Sequence, residues 1–248
     1  MTTPAPVQRA AMSRPRIPWG RAAVLGGATV LAVGFLLMFA LPYLAPDEKR
    51  AALYASRRSW LLVHIVSGTT TLLVGPVQLW LGLGLRHIGL HRRLGLTYVA
   101  GVAVGSVTAF YLALHTPFGF VFGMGLTGLA VAWIVTTGLG LVAVRRAQLA
   151  QHREWMVRSY VVTFAFVTFR LLAGLLQRAH VGTLPEQLAV ASWFCWAVPL
   201  LVTEAILQGR KIVATDARVD RTPGYALDSQ VPPPGLARVH RCPSARRH

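Results

Sequence analysis

The chain has 248 residues, 54% hydrophobic and 13% charged, and its 25 Lys and Arg against 8 Asp and Glu give a formal charge of +17. A water-soluble domain carries about a quarter of its residues as charge, so that class is excluded. The charges cluster between apolar runs of about twenty residues, the pattern of an all-α, polytopic membrane helical bundle.

In chain order, residues 1–20 are basic and lack apolar periodicity, so they are expected to be disordered. Six apolar segments follow within 21–208: Arg21 to Leu44, Trp60 to Leu85, Leu94 to His115, Gly119 to Val144, Met156 to Leu176 and Pro185 to Gln208. At about 1.5 Å per residue, each is long enough to cross a hydrocarbon core of about 30 Å. The first follows Arg9, Arg14, Arg16 and Arg21 as a signal peptide would, but its apolar stretch is too long, and it reads as a retained anchor. The tail 209–248 is basic and Pro-rich, with the run Pro232-Pro233-Pro234, and is expected to be disordered. Cys195 lies in an apolar segment and Cys242 in the tail, so no disulfide is implied.

The cations set an orientation. Most fall before the first segment, between the second and third, between the fourth and fifth, and after the sixth, against Lys49, Arg50, Arg57, Arg58 and Arg178 on the other side. The excess places both termini in the cytoplasm. The same placement accounts for the net charge as topology and lipid contact, so no nucleic-acid partner is expected.

Polar residues recur at three-four spacing on the spans. On the second they are His64, Gly68, Thr71, Gly75 and Gln78; on the third Tyr98, Gly101, Gly105, Thr108 and His115; on the fifth Ser159, Thr163, Arg170 and Gln177. The fourth adds Gly123, Thr127 and Thr137. Such stripes face a bundle interior, where small residues allow close approach and hydroxyls bond across helices. The first segment lacks a stripe and is expected at the periphery. An ionisable residue within a span needs a partner. Depth pairs Glu204 with Arg158, whereas Arg170, ~9 Å from the outer end of its span, has no carboxylate at its level and calls for carbonyls, water or a ligand anion.

Histidines stand at two levels, with His64, His115 and His180 toward the outer face and His87, His91 and His152 toward the inner one. His91-Arg92-Arg93 and His152-Arg153-Glu154 occupy matching places before the third and fifth segments, as in two hairpins that pair into a four-helix core. Two neutral imidazoles from diagonal helices can bind haem iron axially, which makes His91 and His152 candidate ligands of an inner haem b. The alternative is that both are interfacial residues that cap helices and contact lipid phosphate. An outer haem at His64 would need His115, His180 or Met124 as its second ligand, with Arg170 neutralising a propionate.

The segments His64-Ile65-Val66-Ser67-Gly68, Gly75-Pro76-Val77-Gln78, His91-Arg92-Arg93-Leu94-Gly95-Leu96-Thr97-Tyr98 and His152-Arg153-Glu154-Trp155-Met156-Val157-Arg158-Ser159-Tyr160, followed by Phe164 and Arg170, resemble the family called domain of unknown function 2306. The resemblance covers about Trp60 to Leu176. It implies a multi-pass bacterial membrane protein whose motif-bearing helices are the second to fifth, with no established activity. The arrangement is also similar in architecture to the cytochrome b561 and ferric-reductase class, in which a four-helix core holds haem between diagonal histidines.

The reading from sequence is therefore a membrane electron carrier holding haem b, an oxidoreductase component if an enzyme at all, whose partners are the lipid bilayer and a quinone or another redox protein. Its site residues are His64, His91, His152 and Arg170. The rival readings are a small-solute transporter or channel that uses the polar core without a cofactor, and a structural or lipid-associated protein. No phosphate loop, serine nucleophile elbow or paired intramembrane carboxylates mark a hydrolase or transferase.

Overall fold

The computed structural model describes residues 19–41, 55–84 and 87–219, and the expectations placed on 1–18, on the tail beyond Val219 and on Cys242 lie outside them. Among the described residues every regular element is helical. Helix α1 is Trp19–Phe35, continued by the π-helical turn Leu36–Ala40. A 3-10 turn, Ala55–Arg57, leads into α2, Arg58–Gly84, and α3 and α4 are Ile88–Leu114 and Phe120–Arg145. The fifth apolar segment is split into α5, Leu149–Thr163, and α6, Ala165–Arg178, and α7 is Leu184–Val219. Among the described residues six helical spans are long and apolar enough to cross a membrane, with α5 and α6 counted as one, Leu149–Arg178.

Three boundaries differ from the sequence reading. Helices α3 and α5 begin at Ile88 and Leu149, so His91 and His152 lie inside helices rather than in the loops before them. Apolar counting finds only the lipid-crossing part of a helix, and Arg, His and Gln propagate the helix through the interface at little cost. Helix α7 likewise runs past Gly209 to Val219, where the tail was expected to have begun. Nothing in Arg210-Lys211-Ile212-Val213-Ala214 breaks a helix. The part from Ile206 onward belongs to a second compact unit, and the helices and sites described below lie in the first, 1–205.

The third difference is the break at Phe164, which has φ −67° and ψ −10°. There Val167 N–H bonds to the Phe164 carbonyl in 3-10 fashion at 2.9 Å. Beside it Thr163 turns its hydroxyl onto the carbonyl of Ser159, four residues back, a habit that bends helices.

The most extensive pairings are the hairpins α2 with α3 and α4 with α5, and contacts of α3 with α4 and of α2 with α5 close the ring. Helices α3 and α5 are thus diagonal. Lipid tails are as apolar as leucine, so such a bundle is held by close packing and internal hydrogen bonds. Gly75 lies directly against the Tyr160 ring, and a Cβ on Gly105 would stand 2.9 Å from the Trp133 ring and 3.0 Å from Ser67 Oγ. Only glycine permits these approaches. Helix α1 is peripheral, as its lack of a polar stripe predicts: it packs on α2 and α6 and buries Ala32 and Leu36. Helix α7 is tied to α4 by Trp193 and Trp196, whose indole N–H groups donate to the carbonyls of Val121 and Gly125, each at 3.2 Å. Thr168 on α6 donates to the Cys195 carbonyl of α7 at 2.7 Å.

Candidate functional site

At mid-bundle the polar stripes meet in one closed layer of Tyr98, Trp133, Thr137, Ser159 and Thr163. One arrangement of its protons satisfies every group. Thr163 spends its single hydroxyl proton on the Ser159 carbonyl at 2.9 Å, so its oxygen accepts from Trp133 Nε1–H and from the Tyr98 hydroxyl, each at 2.8 Å. Tyr98 must then accept from Ser159 at 2.9 Å, and Ser159 from Thr137 at 2.7 Å. The layer is neutral and fully satisfied. It fixes how α3, α4 and α5 pack, and it separates two polar ends that lie roughly 20 Å apart along α2, from His64 to Gln78.

The first end is built on His64. Its Nδ1 lies 3.1 Å from the Gly105 carbonyl and 3.3 Å from Thr108 Oγ1. A carbonyl only accepts, so Nδ1 carries the proton and the neutral ring keeps its lone pair on Nε2. His64 lines a cavity of about 260 Å³ together with Arg57, Arg170, Phe39, Phe166 and Trp133. The Phe166 ring lies 5.3 Å from the imidazole, and the Arg170 guanidinium sits 5.9 Å from the Phe39 ring centre and 5.8 Å from that of Phe169. Three suggested partners of His64 are absent from the described lining. His115 follows the end of α3, exposed and stacked on Tyr111 at 4.3 Å, with Nδ1–H donated to the Tyr111 carbonyl. His180 is exposed in the turn after α6, and Met124 is half-buried elsewhere on α4.

The second end carries His91 and His152, each near the start of its helix. His152 donates Nδ1–H to the Gly140 carbonyl at 2.8 Å, which leaves Nε2 as the ring nitrogen open to another partner. The His91 ring packs toward Gly82, whose Cβ would lie 3.5 Å from Cε1, and its backbone carbonyl accepts Gln78 Nε2–H at 2.7 Å. His91 Nδ1 is buried and has no hydrogen-bond partner.

Beside this end, Arg158 meets Glu204 as the depth matching predicts. Its Nε donates to Glu204 Oε2 at 2.7 Å and its NH2 stands 2.6 Å from the same oxygen, with Glu154 at 3.6 Å and the Trp155 ring beneath at 4.6 Å. The sequence reading had not assigned Arg57, Gln78 or Trp133 to these sites. Gln78 was legible as part of the α2 stripe, whereas Arg57 precedes its helix and Trp133 looks like one more apolar residue.

Six apolar spans, a four-helix core and polar groups confined to its interior define an integral membrane protein in contact with the bilayer on its outer faces. Residues 61–207 match the family of predicted membrane proteins called DUF2306, and the chain belongs to that family. The match extends through α7, further than the motif-bearing stretch 60–176. No curated protein and no solved structure matches the chain significantly.

Proposed function

We propose that the protein is a b-type haem electron carrier of the membrane, with His91 and His152 as axial ligands and a quinone or another redox protein as its partner. The observation that carries this reading is that two histidines stand at the same end of the bundle on diagonal helices, His91 with a buried, unpartnered Nδ1 and His152 with its ring held by the Gly140 carbonyl. The residues fit the group. The Gly140 carbonyl orients the His152 ring and leaves Nε2 as the donor atom, the outer support expected of a metal-binding imidazole. The orphaned Nδ1 of His91 is a dry nitrogen with an unfilled partner position. A haem held between two neutral imidazoles supplies reversible one-electron transfer with no position open to oxygen.

The chain's own residues do the rest. Gln78 pins the first turn of α3 through the His91 carbonyl, and Gly82 leaves room for the ring beside it. A second haem at His64 would need a second imidazole or a thioether opposite it, and the described lining of that cavity holds no other His and no Met, so the proposal is for one haem. A solute path finds less support, because the hydrogen-bonded layer fills the middle of the core.

Protein purified in mild detergent from haem-replete cells should show a Soret band and sharp reduced-minus-oxidised α and β bands. His91→Ala and His152→Ala should each abolish them, and His64→Ala should leave them in place. Folded, haem-free protein from replete cells would reject the proposal.

A further inference from the structure

We infer that the cavity at the His64 end binds the ring of a lipid-soluble hydroquinone. The inference rests on the electron-carrier reading only for the use made of the ligand, while the binding itself follows from the cavity. With Nδ1–H committed to Gly105, the neutral His64 ring presents an acceptor, so the ligand must bring a hydrogen-bond donor. A carboxylate or phosphate brings none. An ammonium group would bring one but would meet Arg57 and Arg170 in the same lining. A ring hydroxyl satisfies both demands, because it donates to Nε2 and accepts from a guanidinium.

The walls select a flat apolar body. Phe35, Phe39, Phe118, Phe122, Phe166 and Trp133 line the cavity, and Phe166 stands edge-on to Trp133 at 5.6 Å. Its volume of about 260 Å³ is just below the ~300–1,000 Å³ of ordinary small-molecule sites, so it takes a head-group ring and leaves an attached chain to the bilayer. The π-helical turn Leu36–Ala40 is a second observation at the same place. Such turns concentrate at functional sites, and this one brings Leu36 and Phe39 into the wall and Phe39 over Arg170.

The test uses the full-length protein in detergent and heptyl-hydroxyquinoline N-oxide, an oxygen-bearing aromatic ring whose fluorescence is quenched on binding. Wild-type protein should quench it in stoichiometric amounts, a short-chain hydroquinone should displace it, and oleate should not. His64→Leu should weaken binding about tenfold or more, as expected when a ring-nitrogen acceptor in a largely apolar site is lost. Arg57→Gln lies at the edge of α2, outside the packed core, and should weaken binding while leaving the thermal midpoint unchanged. His152→Ala should lose haem and still bind the probe. Loss of the haem reading with retained quenching therefore leaves the site standing. Haem-loaded protein that fails to quench, unchanged binding in both His64→Leu and Arg57→Gln, or displacement by oleate in place of the hydroquinone would each overturn it.

Discussion

Thr163 Oγ1 accepts from Trp133 and Tyr98 and donates to Ser159, so one hydroxyl carries three bonds. Thr163→Val keeps the shape and leaves an indole N–H and a phenol O–H unpaired in a dry layer, each worth about 1–3 kcal/mol. Tyr98→Phe strands only the Ser159 hydroxyl, and Thr163→Ser keeps the whole pattern. Thermal unfolding in detergent should rank Ser above Tyr98→Phe and both above Val, whereas equal midpoints for Ser and Val would show that the layer contributes no stability. Arg158 gives a second prediction at this scale. Its side chain is 7% exposed and that of Glu204 42%, so Glu204→Ala strands a nearly buried cation beside Glu154, at a cost of about 1–3 kcal/mol after allowance for the exposed partner. Removing both charges, as Arg158→Met with Glu204→Gln, should recover much of that loss in the same measurement.

At the scale of the helix, residues without side chains decide which pairs form. Gly75→Val should force α2 from α5 and lower the thermal midpoint by the equivalent of roughly 1–3 kcal/mol or more, because a Cβ there falls inside the Tyr160 ring. Gly138→Ala, with nothing near the added carbon, should be neutral or slightly stabilising. If the two variants melt together, the close approach is not what sets the pairing. The helices and their inner faces were legible in the sequence because both depend on spacing: Gly68, Thr71, Gly75 and Gln78 are buried as their three-four recurrence requires. The break at Phe164 was not, because it arises from a hydroxyl bonding back to the chain and shows no proline or glycine. Gln177 joins the stripe by counting but lies exposed beyond the break. His115 fails for a related reason, since α3 ends at Leu114 and the ring stacks back on its own helix.

For the whole molecule, an even number of spans puts the two ends of the helical domain on one side of the membrane. With the cation bias, reporters fused after Gly209 should be active only as cytoplasmic reporters, and an external C-terminus would contradict the count of six. The candidate sites were legible as residue types at two levels. Their assembly was not: spacing could place His91 and His152 at one depth, but only the ring order of the helices sets them on opposite corners of the core. The cavity wall contributed by α1 had no sequence signal at all, since Phe35, Leu36 and Phe39 read as ordinary membrane anchor.

The closure of the mid-bundle layer has a consequence for what can cross it. A proton hops along hydroxyls only if each can hand one on and take another, whereas the layer is bounded by the Trp133 indole, which only donates, and by the Ser159 backbone carbonyl, which only accepts. Among the described residues no hydroxyl of the layer bonds to His64, His91 or His152, so a relay of protons joining the two polar ends would have to run around the layer and not through it.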